Sequence, residues 1–104
     1  MNKKMKICFI VPYAYPVITG KGSRSFVGGA EVQQFILAKE FVNKGHEVTI
    51  LTDDFGQERV EKHYGITIVK YQEENKFTTL SLFKCMREVN ADIYYQIFSS
   101  VLHF

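Results

Sequence analysis

Gly28 and Gly29 stand directly before a long helical stretch, and no other residues in this chain are better placed to do chemistry. Glycine lets a ligand come close to the backbone. The first turn of a helix offers unsatisfied N–H groups and the positive end of the helix dipole. Together these suit an anion such as a diphosphate. The same doublet could equally serve only to permit a tight turn, and the two readings stand level. Tyr13, Tyr15, Arg24 and Phe26 precede it in the stretch 12–29. The rings of Tyr13, Tyr15 and Phe26 could stack on a ligand ring, or they could pack inside the loop. Gly20-Lys21-Gly22-Ser23-Arg24-Ser25 approaches a dinucleotide fingerprint, but Ser25 stands where the third glycine is needed and the spacing to the flanking elements is wrong. There is no Gly-Lys-Ser/Thr run of a phosphate-binding loop. Asp53 sits at the end of an apolar run, where some α/β proteins keep a ribose-binding acid and many more keep a turn residue. His46, His63 and His103 form no pair or triad with metal-ligand or nucleophile spacing, so no metal site is expected. His46 beside Gly45 reads as a turn and packing residue, and His63 as solvated. Cys8 and Cys85 read as two buried reduced thiols.

These residues need elements to position them. Residues 6–11 form a short, nearly continuous apolar run, as expected of a strand covered on both faces. Pro12 and Pro16 then interrupt regular structure, and the stretch 12–29 holds both prolines and four of the seven glycines. It reads as a loop, longer than the usual strand-to-helix connection of about 2–6 residues. Residues 30–44 read as a helix buried over much of its circumference, with Gln33, Glu40 and Lys44 on one narrow polar arc. Glu31 suits its first turn and Gly45 its left-handed end. Glu47–Thr52 reads as a second strand. Residues 53–65 are polar, with one helical turn expected at 58–62. A third strand is expected at 66–71, a helix at 80–89 capped by Thr78 or Thr79, and a fourth strand at 93–98.

Strands alternating with helices define the α/β class. The specific expectation is a Rossmann-like parallel sheet of about four strands in order 3-2-1-4, an incomplete half of a doubly wound domain. The fourth strand would then carry an open edge through which the chain could self-associate. Val101, Leu102 and Phe104 would leave apolar surface uncovered, so residues 1–104 read as a fragment of a larger domain. The 104 residues accommodate one domain at most. With 46% hydrophobic residues the chain is not disordered, and a net charge of +2 is too balanced for nucleic acid to be the main partner. No apolar run reaches the ~20 residues that span a bilayer, and Pro12 ends the only candidate signal core too early, which points to the cytoplasm.

The run Lys6-Ile-Cys-Phe-Ile-Val-Pro12, then Gly28-Gly-Ala-Glu31, Leu37-Ala38 and Lys44-Gly-His-Glu-Val-Thr-Ile-Leu-Thr52, resembles the start of family 4 glycosyltransferases. The resemblance covers most of the chain but only the first half of that family's N-terminal domain. It implies two Rossmann-like domains facing across a cleft, the GT-B arrangement. It also implies transfer of a sugar from a nucleotide-sugar to a sugar or lipid-linked acceptor hydroxyl, with retention at the anomeric carbon and without a metal or other cofactor. By the same resemblance, Gly28 and Gly29 would face the donor diphosphate, while Tyr13, Tyr15, Arg24 and Phe26 would help shape the acceptor pocket. The donor-binding C-terminal domain, with its paired glutamates, has no counterpart here, so the chain alone is expected to be inactive. The histidine that many members carry after the fourth strand is not matched; His103 lies further on. Lys3, Lys4 and Lys6 are most simply solvated, and the family adds peripheral contact with the inner face of a membrane as an expectation. An alternative from another class is a standalone α/β nucleotide- or phosphate-binding module without catalytic activity. Half of a dinucleotide oxidoreductase is disfavoured by Ser25.

Overall fold

The computed structural model describes residues 3–20, 29–71 and 79–96. Arg24, Phe26, Gly28, Thr78 and His103, the fingerprint-like run beyond Gly20, and the end of the expected fourth strand lie outside them.

Among the described residues five strands make one sheet: β1 (Lys6–Ile10), β2 (Glu47–Thr52), β3 (Val60–His63), β4 (Ile66–Lys70) and β5 (Ile93–Gln96). Their order is β3-β4-β2-β1-β5. The expectation of a purely parallel, four-stranded sheet in order 3-2-1-4 is overturned by β3, which pairs antiparallel with β4 and makes the sheet mixed. The other pairs, β1 with β2, β1 with β5 and β2 with β4, are parallel. Residues 58–62 thus lead into an edge strand in place of the expected helical turn. A two-residue hairpin makes this possible: Tyr64 (φ 57°) and Gly65 (φ 79°) both lie in the left-handed region, as a type I′ turn requires. Gly65 is also sterically required, since a Cβ there would lie 2.9 Å from Val42 Cγ1.

Three helices among the described residues cover the sheet: α1 (Ala14–Thr19), α2 (Gly29–Asn43) and α3 (Thr79–Val89). The period of two along the strands divides the core. Ile7, Phe9, Val48, Ile50, Ile66 and Ile68 pack with α1 and α2. Cys8, Ile10 and Leu51 pack on the other face with Cys85 of α3. The central strands are therefore apolar on both faces, which explains the continuous runs in the sequence.

The composition of 12–29 predicts a loop, but α1 lies inside it. Pro16 is the third residue of α1, within the first turn, where a missing N–H costs nothing. Gly20 (φ 74°) closes α1 by donating its N–H to Pro16 O at 2.9 Å. Of α2's residues only Ala38 is fully buried; Phe35, Leu37, Phe41 and Val42 are half-buried and Ile36 is exposed, so the helix is less enclosed than its composition suggests. Its end is a Schellman motif: Gly45 (φ 93°) donates to Val42 O at 2.9 Å and His46 N–H to Phe41 O at 3.0 Å.

Candidate functional site at the carboxyl edge of the sheet

A parallel crossover fixes where helix starts fall. α2 connects β1 to a parallel neighbour, so it runs back along the sheet and its first turn lies toward the carboxyl ends of the strands. Gly29 is its first residue and is exposed. A Cβ built there meets nothing within 4 Å, so glycine at this position answers no packing need. Glu31 lies in the same turn.

The ends of β1, β2 and β4 are tied together at the same edge. Thr52 Oγ1 donates to Pro12 O at 2.7 Å, Asp53 N–H donates to the same oxygen at 2.9 Å, and Tyr71 N–H donates to Thr52 O at 3.2 Å. Tyr71 hydroxyl donates to Asp53 Oδ1 at 2.6 Å. Burial lifts the Asp53 carboxyl above the ordinary aspartate range, and the Tyr71 hydrogen bond pulls it part of the way back. Tyr71 is itself pushed up, first by burial and then by the adjoining carboxylate.

A turn comes after Asp53, and its own side chains hold it. Gly56 N–H donates to Asp54 Oδ1 at 2.9 Å, and Gly56 takes φ 90°. The buried Gln57 side chain donates to Asp53 O at 2.9 Å and accepts from Phe55 N–H. Lys70 Nζ reaches both Asp54 Oδ1 at 3.3 Å and Gln57 O at 3.0 Å. Phe55, at the tip of the turn, remains 41% exposed, and Tyr13 46%. Their rings meet edge-on, with centroids 6.4 Å apart at 61°.

Tyr15 behaves differently from Tyr13. It is only 7% exposed, stacks against Phe55 at 6.1 Å, and donates its hydroxyl to Glu61 Oε1 at 3.0 Å. Glu61 also accepts from His63 Nε2 at 2.8 Å and from Glu58 N–H at 3.0 Å. The His63 hydrogen bond, and after it the Glu58 amide, holds the Glu61 carboxyl below its usual range. Burial and the Glu61 carboxylate push the Tyr15 phenol up. His63, which the sequence alone presents as solvated, is therefore paired. His46 accepts from Met5 N–H at 3.1 Å and sits edge-on to Phe41.

Of the six residues given a ligand-binding role from the sequence, the structure describes Tyr13, Tyr15 and Gly29. It gathers Tyr13 and Asp53 with Phe55, buries Tyr15 behind them, and leaves Gly29 open at the start of α2. Phe55 escapes a sequence reading because nothing near it in sequence marks it; its partners Tyr13 and Tyr15 lie some forty residues earlier. A groove of about 330 Å³ lies away from this edge, between α3 and β2–β4, and is lined by Lys6, Glu47, Arg59, Val60, Val69 and Glu88. The Arg59–Glu88 ion pair, at 3.3 Å, belongs to its walls. Among the described residues no three of His, Cys, Asp and Glu gather where they could hold a metal, and no helix is long and apolar enough to cross a membrane.

The chain is an α/β protein with helices on both faces of a mixed sheet. Over 59 residues, 56% of its length, it is 39% identical to an "Uncharacterized 42.6 kDa protein in cps region" of Klebsiella pneumoniae. The match spans 16% of that relative. No protein-family model and no solved structure matches the chain.

Proposed function

We propose that this chain is the acceptor-side, N-terminal part of a retaining glycosyltransferase, which moves a sugar from a nucleotide-sugar to an acceptor hydroxyl. The observation that carries the reading is the similarity to a protein of a cps (capsule polysaccharide) region, which supports a role in carbohydrate biosynthesis. The geometry of the carboxyl edge is compatible with it. Gly28 and Gly29 would present the free amides of α2 to the donor diphosphate, where the leaving phosphate gathers negative charge. A Cβ at position 29 would meet nothing within 4 Å, so the backbone there is open on its side-chain side. Tyr13 would contribute to the acceptor side, with Arg24 and Phe26 from the neighbouring stretch. Tyr15 would act by holding that wall rather than by touching the acceptor, since its hydroxyl is engaged by Glu61. The nucleotide itself would be held by a further domain.

The test uses Gly29→Ala. Position 29 has neither a left-handed φ nor a neighbour for the new methyl, so the variant should melt at the wild-type temperature or slightly above it. Inorganic pyrophosphate and UDP are titrated into wild type and variant, and amide shifts are monitored by NMR. Wild type should show shifts centred on residues 29–31, and the methyl should weaken binding about tenfold, equivalent to roughly 1.4 kcal/mol. Binding of both probes that leaves residues 29–31 unmoved, or equal binding by the variant, would refute the diphosphate role.

A further inference from the structure

Exposed aromatic rings are common, but rings locked at the tip of a stiff turn beside a half-buried carboxylate are not. The turn after Asp53 is held by the Asp54, Gln57 and Lys70 hydrogen bonds. Tyr15 lies in offset stacking beside Phe55, within 13° of parallel at 6.1 Å between centroids, and Phe55 stays 41% exposed. Tyr13 meets it edge-on and completes a corner of two rings. Asp53 N–H is bonded to Pro12 O, immediately before Tyr13, so the carboxylate and the corner share one scaffold. Tyr71 donates to Asp53 Oδ1, and among the described residues no donor reaches Oδ2.

We propose that Tyr13, Phe55 and Asp53 form a binding platform for a pyranose ring, whose C–H face lies on the aromatic corner while one of its hydroxyls donates to Asp53 Oδ2. A half-buried carboxylate has given up part of its hydration, and a sugar hydroxyl restores a donor to it. The platform does not suit an anion. Asp53 and Asp54 both carry carboxylates there, and Lys70 already answers Asp54 at 3.3 Å. Among the described residues no cation pairs with Asp53, so a phosphate would meet its charge. The platform and the α2 amides thus sort two chemistries along one edge, neutral polyol at the rings and anion at the helix start. Because the rings are held before any ligand arrives, little side-chain entropy is lost on binding. The assignment of this sugar as the acceptor rests on the glycosyltransferase reading; the binding itself does not.

The experiment is an NMR titration of the 104-residue chain with methyl α-glucopyranoside, methyl β-galactopyranoside and N-acetylglucosamine, with uridine as a separate arm. At least one sugar should shift the Tyr13 and Phe55 ring signals. Phe55→Ala should weaken that binding by about fivefold, the loss of roughly 1 kcal/mol of ring contact. Phe55→Tyr, which keeps the ring, should retain it, and Phe83→Ala, which removes an exposed ring on α3, should change nothing. Asp53→Asn should weaken binding without moving the contact. Melting curves of each variant separate lost binding from lost folding. Sugar shifts elsewhere on the chain, no shift with any sugar, or uridine alone on the rings would overturn the platform. If pyrophosphate still perturbs residues 29–31 in those cases, the platform falls while the glycosyltransferase reading stands; if neither probe binds, both fall.

Discussion

Tyr71→Phe removes one atom, and its consequence can be worked out from the contacts of that atom. The Tyr71 hydroxyl donates to Asp53 Oδ1 at 2.6 Å, a short hydrogen bond to a carboxylate, and Tyr71 is itself buried. Such charge-assisted bonds contribute roughly 1.5–3 kcal/mol net, and the half-exposed setting of Asp53 places this one near the lower end, at about 1.5 kcal/mol. A domain of this size loses about 4–5 °C of Tm per kcal/mol, so the variant should melt about 7 °C lower at neutral pH. The dependence on pH distinguishes the mechanism. Burial raises the Asp53 carboxyl above its ordinary value and the Tyr71 hydroxyl lowers it, so removing the hydroxyl raises it further. An acid whose folded pKa is raised binds its proton more tightly in the folded state, so the destabilisation is full above the folded pKa and disappears as pH falls toward the unfolded value. The gap between variant and wild type should therefore be largest at pH 7.5 and shrink steadily toward pH 4.5. Urea unfolding at several pH values reads this directly, and in an Asp53→Asn background the gap should not vary with pH. A Tyr71→Phe penalty that stays constant from pH 7.5 to 4.5 would show that the hydroxyl acts through packing alone and would refute the linkage to Asp53.

The fold sets two further outcomes. Gly45→Ala and Gly65→Ala both force alanine into a left-handed φ, but only position 65 also brings Cβ within 2.9 Å of Val42 Cγ1. Gly45→Ala should cost about 1 kcal/mol and Gly65→Ala about 2–3 kcal/mol in urea denaturation, and equal losses would contradict the contact. Burial, with Cys85 nearby, pushes the Cys8 thiol up to about 12, so at pH 8 its alkylation by iodoacetamide should proceed only as fast as the chain unfolds; rapid labelling of the native protein would show that β1 is not enclosed.

Features that repeat at short range are legible in the sequence. The central strands show themselves because burial on both faces leaves an unbroken apolar run, and the end of α2 because Gly45 has one conformational use there. β3 gives no such sign. Val60, Glu61, Lys62 and His63 alternate weakly and mostly in polar residues, as an edge strand half in water can, and only the left-handed Tyr64-Gly65 pair makes them a hairpin arm. α1 is hidden by Pro16, whose effect depends on its position: fatal within a helix, harmless in its first turn. At the site, Gly29 and Tyr13 are visible by type, because a glycine before a helix and a tyrosine after a strand each have a local meaning. The Tyr13–Phe55 corner and the Tyr71–Asp53 bond depend on pairings across 42 and 18 residues, which local periodicity does not encode.

The unforeseen strand also bears on the site. β3 contributes Glu61, whose carboxylate collects the Tyr15 hydroxyl, the His63 ring and the Glu58 amide. Tyr15 is in turn the surface on which Phe55 stacks. The antiparallel hairpin therefore fixes α1 from the side, and α1 fixes the aromatic corner at the carboxyl edge. A parallel sheet ending at β4 would leave the Tyr15 hydroxyl buried without its acceptor, at a cost of about 1–3 kcal/mol. Tyr15→Phe tests this chain of support, because it keeps the ring under Phe55 and removes only the bond to β3. It should lower stability by about 1 kcal/mol while leaving the Phe55 ring signals near their wild-type positions, whereas Tyr15→Ala should move them. Equal displacement of the Phe55 signals by both variants would mean that the hydrogen bond to Glu61, rather than the stacked ring, sets the platform.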